Sequence, residues 1–188
     1  MKKIVVFFLA LSFIFCITGC SDKDKDSNKV KVDIEYYANL GQIPECEYPL
    51  GTSVDTFKEE TTTESVGANH THEGIFYNVT EYDDYVFIES NAYSYFYLKD
   101  KKAEGVSYIV SYDTAFGFEI GTVSIEIKEA IGDTNHTTEQ LTKENAFFMR
   151  GMVNGELIKC KYDKNTVIFV IQDNVLCATA IYRNSDWE

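Results

Sequence analysis

The sequence predicts an α+β fold. It reads as a tandem duplication of a helix followed by an antiparallel β-meander, with the helices on one face of the sheets. Three observations predict it. Short runs rich in Val, Ile, Tyr and Phe alternate with period two and are separated by hairpin signals such as Asn154-Gly155 and Asp173-Asn174. Two stretches with helical spacing each open on Gly-Thr. The pattern also recurs at a fixed distance: Leu50-Gly51-Thr52 returns as Ile120-Gly121-Thr122, and Phe57-Lys58-Glu59 as Ile127-Lys128-Glu129, 70 residues on. At the same offset Gly105 to Tyr112 (GVSYIVSY) lies over Val175 to Tyr182 (VLCATAIY). Tyr95-Phe96-Tyr97-Leu98 lies over Ile168-Phe169-Val170-Ile171 at an offset of 73, which gives the second copy a shorter hairpin loop.

The chain starts with an address. Lys2 and Lys3 precede Ile4 to Ile17, an apolar run of 14 residues, too short for the roughly 20 of a spanning helix. The run closes on Ile17-Thr18-Gly19-Cys20. An aliphatic residue, two small residues and a Cys resemble the lipobox of a bacterial lipoprotein, with Ile17 where Leu is commonest. The resemblance implies cleavage before Cys20, acylation of its thiol (palmitate being a suitable chain), and anchoring at the extracytoplasmic face of the cell membrane. Two or more acyl chains hold a protein stably on a bilayer, at about 0.8 kcal/mol per buried CH₂.

Removing residues 1–19 takes away Lys2 and Lys3 and no acidic residue. The 17 basic residues become 15 against 30 acidic, and the net charge moves from −13 to −15. Such a surface is a poor partner for nucleic acid or anionic headgroups. The expected partners are the membrane, through the lipid anchor, and an envelope protein. Ser21 to Lys29 (SDKDKDSNK) reads as a solvated tether. The expected organisation is a signal peptide at 1–19, acylated Cys and tether at 20–45, repeat one at 46–115 and repeat two at 116–188.

Each repeat is then read in order. In repeat one, Thr52 or Ser53 caps a helix whose stripe is Val54 and Phe57, and Thr61-Thr62-Thr63 predicts a short or frayed end. Strands follow at 74–81, 84–90, 93–99 and 105–112. In repeat two, Thr122 is the predicted N-cap, Val123, Ile127, Ala130 and Ile131 share a face, and Gly132 ends the helix. Its strands are predicted at 146–152, 156–162, 166–172 and 175–182. One sheet face packs on the helices and the other is free to meet water. This order resembles the tandem fold of the beta-lactamase inhibitory protein and of small envelope lipoproteins. The resemblance spans 46–188 and implies protein binding through a concave sheet without catalysis.

Motifs for chemistry are sparse. Asn69-His70-Thr71-His72-Glu73 could set two imidazoles on one strand face, but no third ligand has a recognisable spacing, and a polar loop is the better reading. His136 falls in the loop 132–138. Beyond Cys20, three thiols remain, Cys46, Cys160 and Cys177, an odd number. The neighbourhoods IKCKY and VLCAT carry no nucleophile motif, and a meander places Cys160 and Cys177 too far apart for a disulfide. No cofactor or metal is expected. The sequence has no GxSxG, P-loop, HExxH or EF-hand pattern.

The unusual stretch is Tyr82 to Tyr97. Period two sets Tyr93, Tyr95 and Tyr97 opposite Phe96 and Leu98, whose counterparts in repeat two are the apolar Phe169 and Ile171. The tyrosines are then expected on the outer face, extended by Tyr108 and Tyr112 of the next strand, as a binding surface. The functional expectation is a membrane-anchored, non-catalytic protein- or ligand-binding module. The alternatives are a hydrolase-like envelope enzyme whose site the sequence does not display, and a small-ligand carrier.

Overall fold

A computed structural model describes residues 32–63, 77–100, 104–132, 135–142 and 154–186. The first described element is a helix outside the expected repeats, α1 (Ile34–Leu40). Asp33 caps it, accepting the Tyr36 N–H at 3.0 Å. Gly41, at φ 68°, ends it with backbone bonds back to Ala38 and Tyr37. Ala38 is buried, and its carbonyl accepts the Asn165 side-chain amide at 2.7 Å. This helix falls inside the stretch 20–45 that the sequence reads as tether.

The second helix, α2 (Val54–Thr63), continues through the three threonines that predicted an early end. Its Phe57 is fully buried, and tertiary packing outweighs the poor propensity of Thr. Ser53 caps it, accepting the Asp55 N–H at 3.2 Å. The third helix, α3 (Ser124–Ile131), opens at Val123 without a side-chain cap. Thr122, the predicted cap, instead donates its hydroxyl to the Glu119 carbonyl at 2.7 Å. Gly132 ends α3 as predicted, its N–H on the Lys128 carbonyl.

The strands are β1 (Asn78–Glu81), β2 (Tyr85–Glu89), β3 (Tyr93–Leu98), β4 (Tyr108–Ser111), β5 (Thr137–Gln140), β6 (Glu156–Lys161), β7 (Asn165–Gln172) and β8 (Val175–Arg183). A short 3₁₀ turn, Asn184–Asp186, follows. All eight join in one open antiparallel sheet of order β1-β2-β3-β4-β8-β7-β6-β5. Two meanders thus meet edge to edge through β4 and β8. The strand expected at 146–152 lies outside the described residues. The neighbour of β6 is instead Thr137–Gln140, a polar stretch that the sequence pattern assigns to no strand.

Matching hydrogen bonds recur at the 70-residue spacing. Gly51 N–H donates to the Val106 carbonyl and Gly121 N–H to that of Leu176, both at 2.8 Å. Val106 N–H returns to the Thr52 carbonyl and Leu176 N–H to that of Thr122, again both at 2.8 Å. The hydroxyls of Thr52 and Thr122 donate to the carbonyls three residues earlier, at 2.8 and 2.7 Å. Phe57 and Ile127 are both fully buried. Where the meanders meet, Val110 pairs with Ala180, the residue 70 positions on.

Both faces of the sheet are apolar. All three helices feed the first core, through Ala38, Phe57 and Ile127 against Val86, Ile88, Ile158, Phe169 and Ile181. The opposite face carries a second buried cluster that includes Phe96, Val110, Leu157, Val170 and Ala180. The expectation of a wet second face is therefore corrected. The near-continuous apolar run of β7, NTVIFVIQ, is the pattern of a strand buried on both sides. The described residues belong to one unit spanning 31–188, and among them no helix is long and apolar enough to cross a membrane.

Candidate functional site

The five tyrosines expected on one exposed face do not share a surface. Tyr95 is 0% exposed and lies in the helix-side core, with Tyr93 and Tyr97 half-buried against the same cluster. Tyr108 is 1% exposed and belongs to the opposite cluster. Of the five, only Tyr112 is exposed, at 47%. The reason is a register slip of one residue. In the sheet Tyr95 pairs with Ile109, and Phe169 pairs with Thr179, 70 residues beyond Ile109. By its place in the sheet Tyr95 thus matches Phe169, 74 residues on, and not Ile168 at 73. A one-residue shift moves every side chain of a strand to the other face.

The buried tyrosines build an aromatic nest under α2. Phe57 stands 4.8 Å from Tyr48, 5.1 Å from Tyr77 and 5.0 Å from Tyr95, ring centre to ring centre. The polar tips find partners at the edge of the nest. Tyr77 donates to Glu47 Oε2 at 3.0 Å, Tyr48 donates to Glu60, and the Tyr95 hydroxyl meets Cys46 Sγ at 3.2 Å. Each ring is thus packed and each hydroxyl is engaged, which is how buried Tyr is accommodated.

The thiols are held in their neutral form. Burial raises Cys46, although hydrogen bonds with the Tyr95 side chain and the Tyr48 backbone work against it. Burial alone pushes Cys160 up to about 12, and burial likewise raises Cys177. A thiol protonated at neutral pH is a weak nucleophile and a weak metal ligand. All three are free, and Cys160 belongs to the helix-side core while Cys177 packs with the opposite cluster. The sheet itself stands between the pair for which no disulfide was expected. His70 and His72 lie outside the described residues. Among those described, no group of three His, Cys, Asp or Glu is placed to hold a metal ion.

An open cleft of about 740 Å³ lies where α1 approaches the chain entering β5 and the β6–β7 turn. From α1 come Glu35 and Asn39, and from the chain leading into β5 come Asn135, His136 and Thr137. The other wall carries Lys159, Lys161, Tyr162 and Asp163. Local geometry explains the positions. Asn135 donates its amide to the Ile131 carbonyl at 3.0 Å, fastening the chain after α3. His136 Nδ1 lies 3.1 Å from the Gly132 carbonyl, and since a carbonyl only accepts, Nδ1 is the donor there, which in the neutral ring leaves Nε2 as the acceptor. Lys159 pairs with Glu139 across the strands at 2.6 Å. Burial, then Cys160, Glu35 and Asp33, push the Tyr162 phenol up to about 12. It therefore remains a hydrogen-bond donor at neutral pH.

The floor of the turn is rigid. Asn184 donates its amide to the Tyr162 carbonyl at 2.8 Å and accepts the Thr166 hydroxyl at 2.7 Å. Asn165 ties the same turn to α1. A second cleft adjoins the first, sharing Asn39, Lys161 and Asp163 and adding Lys164 and Arg183. Four of the seven described Lys and Arg residues line these two clefts. The other three are paired elsewhere: Lys58 and Lys99 with Glu81, and Lys128 with Glu156.

Sequence patterns alone do not display this site. His136 reads as a loop residue and IKCKY as the surroundings of a thiol. The available signal is the Lys159-x-Lys161 alternation at the end of a strand whose other interior residues are Leu157, Ile158 and Cys160. Its meaning depends on α1, which the sequence assigns to the tether. Compared with protein families, characterised proteins and solved structures, the chain matches none of them.

Proposed function

We propose that this chain is an envelope lipoprotein, anchored through acylated Cys20 at the extracytoplasmic face, and that its domain is a non-catalytic binding module. The reading includes a duplicated origin, in which each repeat is a Gly-Thr-opened helix and a four-stranded meander. The 70-residue recurrence of the Gly51/Gly121 and Thr52/Thr122 hydrogen bonds supports the duplication. Two elements with the same local solution at the same spacing are the mark of a repeated unit. The lipobox Ile17-Thr18-Gly19-Cys20 supports the anchor.

The observation that carries the binding reading is the gathering of basic side chains along adjoining clefts of a strongly acidic chain. Elsewhere a negative field repels acidic partners; here it is neutralised locally. The contact surface of the partner is basic or neutral, and its association is salt-sensitive. The anchor is tested by Cys20→Ala, which should leave the protein unprocessed or release it. An unmodified N-terminus beyond Cys20 by mass spectrometry would refute the anchor. The module is tested by capture from solubilised envelope with the wild-type protein and with Lys161→Glu. Lys161 is exposed and lines both clefts. Loss of a captured partner in the variant supports the reading, and identical capture overturns this placement of the site.

A further inference from the structure

We propose that the larger cleft is a saccharide-binding subsite that takes an uncharged, polyhydroxylated sugar chain. This rests on the binding-module reading and names the ligand class of the same site. The chemistry of the wall selects the ligand by exclusion. Among the described residues no aliphatic side chain lines the cleft, whose residues are mostly polar or charged, so it is poorly matched to a purely apolar ligand. Lys159 and Lys161 are balanced by Glu35 and Asp163, so the site has no net charge to recruit an ion. Lys159 is moreover already paired with Glu139. An anion would also have to approach a domain of strongly negative charge.

What remains are groups that both donate and accept. Asn39, Asn135, Thr137 and the Tyr162 hydroxyl each offer a donor and an acceptor, and His136 adds an acceptor nitrogen. Among the described residues neither the Asn39 amide nor the Thr137 hydroxyl is tied up, and both residues are exposed. A sugar hydroxyl is likewise donor and acceptor at once, so a ring of such groups matches a polyol better than it matches a pure acceptor. Tyr162, partly packed on the helix-side core, is among the described residues the one aromatic lining the wall, and aromatic side chains suit the C–H face of a pyranose. The volume, about 740 Å³, falls in the range of small-molecule sites. The hydrogen bonds of Asn184 and Asn165 hold one wall in place, so binding orders little that is not already ordered.

The test uses the processed lipoprotein in detergent and isothermal titration. The neutral probes are the trimer of N-acetylglucosamine, maltotriose and cellotriose; inorganic phosphate and a tetra-alanine peptide are the competing classes. One of the neutral sugars should bind at one site per chain. The double variant Asn39→Ala/Thr137→Ala should lower its affinity at least about fivefold, the loss expected for hydrogen bonds worth about 0.5–1.5 kcal/mol each. The melting temperature should not move, because both residues are exposed. The inference is overturned if no sugar binds the folded protein, if phosphate or the peptide binds in their place, or if the double variant binds sugar as the wild type does. Silent sugars with envelope capture that depends on Lys161 would discard the saccharide and keep the binding module. Silence in both experiments would discard both.

Discussion

Replacing Tyr95 and Tyr97 with Ser should destabilise the whole domain rather than blunt a surface. Tyr95 is fully buried, in contact with Phe57 and flanked across the strands by Ile88 and Ile109. A buried Tyr removes about 150–250 Å² from water. At about 25 cal/mol per Å² that is about 4–6 kcal/mol as an upper bound. Large-to-small substitutions of buried aromatics cost about 3–5 kcal/mol, so we take about 4 kcal/mol for Tyr95 alone. Half-buried Tyr97 adds to it. A domain of this size has about 5–15 kcal/mol in total, so the double variant loses a third of its stability or more. With a urea slope of about 2 kcal/mol per molar, the midpoint should fall by about 2 M. Tyr95→Phe should cost only about 1 kcal/mol, because it deletes the hydroxyl beside Cys46 Sγ and keeps the ring. Tyr112→Ser, at an exposed position, should lie within about 0.5 kcal/mol of wild type. The assay is urea denaturation of the leaderless domain followed by near-ultraviolet circular dichroism of its tyrosines. A double variant with the wild-type midpoint would refute the pairing of Tyr95 with Ile88 and Ile109 and return the tyrosines to the surface.

Three further outcomes follow from the same structure. Gly105→Ala should destabilise by about 2 kcal/mol or more, since φ is +87° and a Cβ would sit 2.4 Å from the carbonyl oxygens of Gly51 and Thr52; Gly121→Ala, in open space at φ +95°, should cost about 1 kcal/mol, and equal midpoints would contradict the geometry. Thr179→Val should stabilise by about 1 kcal/mol, because the Thr179 hydroxyl is buried without a hydrogen-bond partner and the position 70 residues earlier is Ile109; a lower melting temperature would count against it. Stability should be flat to about pH 9 and then fall. The fold holds the Cys160 proton to about 12 against 9.0 unperturbed, and the Tyr93 and Tyr162 protons to about 12 against 10.0, so the unfolded chain ionises first as pH rises through this window. A urea midpoint unchanged between pH 8 and pH 11 would show that these groups are not buried as described.

Much of the architecture is legible without coordinates because local rules carry it. Period-two alternation and the Asp173-Asn174 turn predict the β7–β8 hairpin to within a residue. The helix starting after Gly121-Thr122 and ending at Gly132 depends only on spacing and on a residue that tolerates positive φ. Other elements are hidden for physical reasons. The helix α1 is seven residues with no strong apolar stripe, and it is held by a bond from Asn165, 127 positions away. The strand β5 reads TTEQ, polar and fully exposed, so it has no hydrophobic alternation to detect.

The sequence by itself determined the basic and then apolar run ahead of Cys20, the acidic charge, the two Gly-Thr-opened helices and the order of most strands. Those are properties of neighbours along the chain. Only the tertiary structure decided which face of β3 is inside, that two meanders join as one sheet through β4 and β8, and that Asn39, His136 and Lys161 line one cleft. Alternation says that two faces differ but not which one meets the core, because both faces of β3 carry aromatic residues. The choice is made by long-range partners: Phe57 and Tyr77 gather around Tyr95 on one side, and Tyr108 packs against Phe96 on the other. A cleft assembled from residues 35 to 163 is likewise a product of packing, since nothing local to any of its residues refers to the others.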